Sequence, residues 1–333
     1  MSKMTTRRAT LTLLSLALFT PPLAARAQQA EGVRRIGILW NGPRDTPLTR
    51  RAGQQMRDSL RRQSWKEGEN LVIEARYSDG KAERLPALAR ELLELKVELV
   101  VAVVDQPIAA AKSVTTTVPI VMLSADSPVE NGHVKTLARP GGNITGTTWS
   151  GPESAGRLLQ VLKEAIPSAV QVATFRDTTY TGAQAWKDES DRAAKSLGLN
   201  VQYFDVRRVE DVTQALSRIA AARIDALVTW GDSATYSRAA DIAAFAIERK
   251  LAFVSTVSRY VELGGLLSVG PNLVAIYDRT ASFVDRILRG AAPAELPVEQ
   301  PTKFDLIVNA KTAAAIGYKI PAALLLQATR VIE

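Results

Sequence analysis

In this 333-residue chain, side chains able to do chemistry recur in one setting: the first polar or aromatic positions after an apolar, β-branched run. In the first half these are Trp40 and Asn41, then Asp105 and Gln106, then Ser124, Asp126 and Ser127. The second half offers Asp177 and Tyr180, Trp230 and Asp232, and Ser255. If the runs are parallel strands, these positions lie at their carboxyl ends, where open α/β sheets bind ligands. Aromatic faces there can cover a flat group, hydroxyls and helix N-terminal N–H groups can take a carboxylate, and an aspartate can take an ammonium. The set suits reversible capture of a small carboxylate-bearing or aromatic, amino-acid-like ligand.

Turnover has little to work with. His133 is the single histidine and cysteine is absent, so no His/Cys metal cluster can be assembled and no metal or cofactor is expected. A Ser-His-acid triad would have to use His133, inside VENGHVKTLARP, and no GxSxG elbow occurs. An exported hydrolase working through paired carboxylates stays open as an alternative that no sequence feature promotes. The glycine stretch ARPGGNITG, 138–146, fails both GxGxxG and GxxxxGK[ST], and it leads into an extended β-branched run where a phosphate cradle needs a helix. Gly141 and Gly142 are therefore expected to turn the chain at an interlobe hinge, together with Gly270 and Asn272.

The positioning elements follow from periodicity. Strands are expected at 33–40, 71–77, 98–104 and 119–123, with helices at 50–63 and 82–95; Glu98–Val104 and Pro119–Leu123 read as strands covered on both faces. After the glycine stretch the alternation restarts, with helices at 154–165, 183–197, 212–222 and 237–249 between strands at 170–175, 201–206, 226–230 and 252–256. A helix at 282–288 and a last strand at 304–308 complete the chain. This predicts an α/β fold of two parallel-sheet lobes. The first spans 33–147 plus about 273–303, and the second 148–268 plus about 304–333 with the crossover segments.

The N-terminus carries an address. Lys3, Arg7 and Arg8 precede the apolar run from Leu11 to Phe19, and Ala25-Arg26-Ala27 has the small residues that a signal peptidase requires, so 1–27 reads as a signal peptide cleaved before Gln28. Thr6-Arg7-Arg8 partly matches a twin-arginine signal, which leaves both the general and the twin-arginine routes open. Cleavage removes four basic residues and takes the net charge from +8 to +4, a mild excess that does not make a nucleic-acid footprint. Without cysteine there is neither a lipid-anchored terminus nor a disulfide, and the periplasm is the compartment that fits.

A family resemblance runs through the mature chain. It is carried by Gly68-Glu69-Asn70-Leu71-Val72-Ile73-Glu74, by LARPGGNITG, by Gly264-Gly265-Leu266-Leu267-Ser268-Val269-Gly270-Pro271-Asn272, by LPVEQPTKF, and by Ile320-Pro321 ahead of Leu324-Leu325-Leu326. On these stretches the sequence resembles bacterial ABC-transporter substrate-binding proteins, a family that includes tryptophan-binding members. The resemblance implies a periplasmic-binding-protein type I-like fold with a cleft and a multi-strand hinge. It also implies a monomeric receptor, no enzyme, that takes a small molecule and delivers it to an inner-membrane ABC permease. The alternative is a ligand-sensing partner of a membrane receptor. Ser127-Pro128-Val129 stands where the family has Asp-Pro-Val, and Val269 replaces a family tyrosine, which argues against plain tryptophan as the ligand.

Overall fold

The computed structural model describes residues 32–149, 151–178, 182–231 and 233–333. The expected signal peptide, 1–27, lies outside the described residues, and so do Tyr180 and Asp232.

The first part of the chain alternates β1 (Arg34–Trp40), α1 (Pro47–Arg62), β2 (Leu71–Tyr77), α2 (Leu85–Glu94), β3 (Leu99–Val103), α3 (Asp105–Val114), β4 (Ile120–Ala125) and β5 (Ile144–Thr148). The second begins with α4 (Glu153–Ala165), β6 (Gln171–Asp177), α5 (Ala183–Leu197), β7 (Asn200–Val206), α6 (Asp211–Ala221) and β8 (Ala226–Thr229). It continues with α7 (Ser233–Ser237), α8 (Ala239–Glu248), β9 (Ala252–Ser255), α9 (Ser258–Glu262) and β10 (Leu267–Pro271). The chain ends with α10 (Leu273–Leu288), β11 (Phe304–Asn309), α11 (Ala310–Ile316), α12 (Ala322–Gln327) and β12 (Arg330–Ile332).

The strands form two sheets. One is all parallel in the order β2-β1-β3-β4-β5. The other runs β12-β11-β10-β9-β8-β6-β7 and is parallel except where β11 pairs antiparallel with β10. Stripped of β11 and β12, the second sheet repeats the strand order of the first. Both are doubly wound, and each has its switch point between its first and third strands, which is where such sheets bind ligands.

Local chemistry explains the elements. Buried β3 and β4 are the apolar runs LVVAV and IVMLSA, closed over by helices on both sides. Thr46 caps α1, its hydroxyl accepting the Thr49 N–H at 3.1 Å, with Pro47 in the first turn. Gly198 ends α5 in the left-handed conformation at φ 65°. Each lobe has apolar clusters on both faces of its sheet. The helix after each fifth strand packs on the other lobe: Leu158, Leu159 and Leu162 of α4 join β6, β8, β9 and β10, while Ile276, Phe283 and Val284 of α10 join β1, β3 and β4.

Two expectations need correction. The helix expected at 282–288 begins nine residues earlier, at Leu273, because Asn272 caps it by accepting the Ala275 N–H at 2.8 Å. The helix expected at 237–249 is α8, Ala239–Glu248, and the short helix α7, Ser233–Ser237, precedes it where none was expected.

Candidate functional site

At the switch point of the first sheet, the ends of β1 and β3 are tied together. Asn41 Nδ2 donates to Gln106 Oε1 at 2.9 Å, and the Ser78 hydroxyl donates to the Asn41 carbonyl at 2.7 Å. Between β3 and α3, Val104 sits at φ 61°, ψ 174°, a region almost reserved for glycine, and Ser124 at the end of β4 also has φ 61°. A β-branched residue there costs on the order of 1–3 kcal/mol, which the surrounding hydrogen bonds must hold in place.

Asp105 supplies several of those bonds. Its carboxylate accepts the Asp126 N–H at 3.2 Å and the Asn131 side chain at 3.1 Å, and His133 Nε2 lies 3.4 Å away. His133 is buried against this carboxylate, within the loop after β4. Asp126 is half-buried; Ser127 is buried, and its carbonyl accepts the Asn131 N–H at 2.9 Å. Asp105 thus joins the loops after β3 and β4 into one polar face.

Trp40 does not belong to that face. It is 6% exposed, sits in the core of the first lobe, and stacks on Tyr77 with ring centroids 6.4 Å apart and planes 7° from parallel. Tyr77 is the half-buried member of the pair, with the Arg44 guanidinium 6.0 Å from its ring centroid. It ends β2 as Trp40 ends β1, and that shared position is the signal by which sequence reasoning could have found it.

The second switch point is aromatic. Trp230, half-buried just after β8, lies 5.4 Å from Trp186 with the ring planes 43° apart. Trp186 stands in the first turn of α5, and its indole Nε1 is buried with no hydrogen-bond partner among the described residues. Sequence reasoning missed it because a tryptophan inside an amphipathic helix reads as core. Asp177 ends β6 half-buried. Ser255 is buried and turned into its own loop, its hydroxyl accepting the Val257 N–H at 3.0 Å, while Thr256 Oγ1 donates to the Trp230 carbonyl at 2.7 Å.

Three crossovers connect the lobes: after β5, between β10 and α10, and in 299–303 ahead of β11. They are bonded to one another. The Thr148 N–H donates to the Glu299 carbonyl at 2.9 Å and the Asn272 N–H to the Lys303 carbonyl at 2.9 Å. Gly270 and Asn272 stand at the second crossover, and a Cβ on Gly270 would come 1.7 Å from the Thr256 carbonyl oxygen. Gly141 and Gly142 do not stand at a crossover: all of β5 separates them from the one that follows Thr148, so their turn is internal to the first lobe. Trp149, in the first crossover, packs against the cores of both lobes.

The lobes also touch directly. Arg51 Nη1 of α1 donates to Glu262 Oε2 of α9 at 3.3 Å. Burial pushes the Glu262 carboxyl up, but Arg330, Arg51 and Arg259 outweigh it and hold it below the usual carboxylate range. Beside this group, burial raises the Tyr236 phenol to about 12.

With a doubly wound sheet in each lobe and three crossovers between them, the comparison with known proteins is decisive. The pattern of the ABC transporter substrate binding protein family matches residues 45–332. The chain belongs to this family. A tyrosine-binding protein of Clostridioides difficile is 24% identical over 258 residues, covering 78% of this chain and 74% of its own length. Among solved structures, an ABC domain from Streptococcus pneumoniae in complex with L-Trp has a TM-score of 0.83 at 23% identity, covering 90% of this chain and 99% of that one. The ligand-free, open structure of a substrate-binding protein with adhesive properties from Clostridium difficile has a TM-score of 0.68 at 25% identity, with the same coverage. The family is one of binding proteins, and the fold is that of type I-like periplasmic binding proteins.

Proposed function

We propose that the chain is an exported receptor that captures an amino acid with an aromatic or apolar side chain between its lobes and hands it to an ABC permease. The observation that carries this reading is the complementary pair of switch points. One offers a bonded polar face, Asn41, Gln106, Asp105 and Asp126 with the ring of Tyr77. The other offers Trp230 beside Trp186, with Asp177 at the end of β6. An amino acid has an ammonium, a carboxylate and a side chain to match: aspartate for the first, α3 N-terminal N–H groups for the second, rings for the third.

The tyrosine-binding relative and the L-Trp complex support the ligand class. In this reading 33–147 with 273–303 and 148–268 with 304–333 move as two bodies about the crossovers, where Gly270 and Asn272 stand. The higher TM-score with the L-Trp complex than with the open, ligand-free structure, at nearly equal identity and coverage, supports a closed arrangement of the lobes. No helix among the described residues is long and apolar enough to cross a membrane. In this reading the receptor works in the periplasm as a monomer.

A thermal-shift and calorimetric panel of the twenty amino acids tests the ligand class; the expected result is saturable binding of L-tyrosine, L-tryptophan or a close apolar relative. A flat response to all twenty, with melting unchanged, refutes it. Protein purified from the periplasm should begin at or near Gln28, and an intact N-terminus on cytoplasmic protein would overturn the export reading.

A further inference from the structure

The contact between α1 and α9 crosses from one lobe to the other, and its two ends are built differently. Glu262 is an anchored acceptor: its Oε1 accepts Arg330 Nη2 from β12 at 3.0 Å and its Oε2 accepts Arg259 Nη1 from its own helix at 3.4 Å, both within the second lobe. Its side chain is 18% exposed. Arg51 is the reverse. Its side chain is 73% exposed, and its one ion pair among the described residues is with Glu262, at 3.3 Å. The carboxylate is therefore held in place whether or not the lobes meet, so only the arginine must be ordered when they do.

That asymmetry matters for the balance of the pair. An exposed ion pair is weak chiefly because ordering two long side chains offsets a screened attraction. Here half of that ordering is already done by Arg330 and Arg259, and the acceptor is drawn out of water. Arg51 is the fifth residue of α1, which follows β1, and Glu262 ends the short α9, which follows β9, so both lie within two helical turns of a helix start that follows a strand carboxyl end, the kind of edge where such sheets bind ligands.

We propose that Arg51 and Glu262 are positioning residues for ligand capture: an interlobe clasp that acts on the ligand through the lobe angle, favours the closed form, and slows release. The proposal rests on the reading of the protein as a receptor that closes over its ligand. Breaking the clasp should not slow association, because the ligand enters the open form and that form becomes more populated, and should speed dissociation.

The test uses the mature chain, Arg51→Ala and Glu262→Gln, with L-tyrosine and L-tryptophan as probes in stopped-flow fluorescence and with small-angle scattering of the ligand-free proteins. Arg51→Ala should raise the dissociation rate about twofold to fivefold without slowing association and with little change in melting. Raising salt should speed release from the parent toward the variant's rate and hardly affect the variant, because the lost attraction is the screened one. Scattering should show a larger radius of gyration for Arg51→Ala than for the parent at low salt. Glu262→Gln should reproduce the kinetics and add nothing on top of Arg51→Ala. Unchanged release together with an unchanged radius would overturn the clasp. If neither probe binds the parent, the kinetics test the ligand class and the scattering alone decides the clasp: a larger radius supports it and an equal one overturns it.

Discussion

The two lobes share a strand order and differ in what that order presents. In the first, the switch point is a braced polar surface: Asn41 bonded to Gln106 and Ser78, Asp105 holding Asn131 and the Asp126 amide, and Val104 and Ser124 forced to positive φ. In the second, it is a pair of tryptophans, one half-buried and one whose buried N–H has no hydrogen-bond partner among the described residues. The same topology thus gives one face suited to fixed polar recognition and one suited to covering a flat or apolar body. A fold places the site, and the loop residues write its chemistry.

The largest effects should come from the fifth strand of each sheet, where both lobes use a glycine for close approach. A Cβ on Gly146 would lie 2.3 Å from the Met122 carbonyl oxygen, with φ at 136°, and one on Gly270 would lie 1.7 Å from that of Thr256. Backbone oxygens cannot swing aside, so Gly146→Ala and Gly270→Ala should each cost about 3 kcal/mol or more, read as a lower melting temperature. Gly142→Ala has open space and an ordinary φ, and should melt like the parent. If Gly270→Ala also melts like the parent, the close approach is not a constraint.

Next come the tryptophans, which sharpen the contrast between lobes. Trp40→Ala removes a core side chain and should destabilise by about 3–5 kcal/mol. Trp230→Ala, at a half-buried site, should spare stability more and weaken binding of the best amino acid about tenfold in calorimetry. Equal affinity for Trp230→Ala and the parent would remove the second switch point from the site. A smaller effect is expected at the brace: Asn41→Ala leaves a neighbouring Gln106 exposed to water and should weaken binding about threefold to tenfold with melting nearly unchanged.

How much of this could be read beforehand follows from which interactions are local. Leu71–Tyr77 and Ala183–Leu197 match their expected spans because alternation, helical spacing and a terminal glycine all lie within the segment. The first half of α10, LVAIYDRT, is rich in β-branched and aromatic residues, and its helicity comes from the Asn272 cap and from packing on the other lobe's sheet. Asn41 directly follows β1 and Gln106 stands in the first turn of α3, yet that they bond each other depends on sheet order. Trp40 and Tyr77 differ in exposure through packing alone. Arg51 and Glu262, 211 residues apart, carry no local signal at all.

The smallest expected effect concerns acid. Carboxylates held below their usual range cluster in the second lobe. The Arg176 guanidinium does this for Asp205, through bonds of 2.7 and 2.9 Å, and the backbone N–H groups of Arg207 and Arg208 do it for Asp211. Burial pushes Asp191 up, and Lys187 and Tyr203 more than offset it; Glu262 is treated likewise by its arginines. A depressed carboxyl contributes stability that is fully present above its unfolded-state value and disappears as pH falls through the lower folded-state value. Asp191 and Asp205 are exposed and Asp211 is half-exposed, so solvent screens these three and each of their contributions is modest. From neutrality down to about pH 5 nothing should change, and between about pH 4 and pH 2 the second lobe should loosen before the first. Hydrogen exchange followed by mass spectrometry reads this directly. Peptides covering β6, β7 and α5 should lose protection at a higher pH than those covering β1, β3 and β4. Simultaneous loss in both lobes would mean that the crossovers couple them into one cooperative unit, and earlier loss in the first lobe would overturn the electrostatic contrast between them.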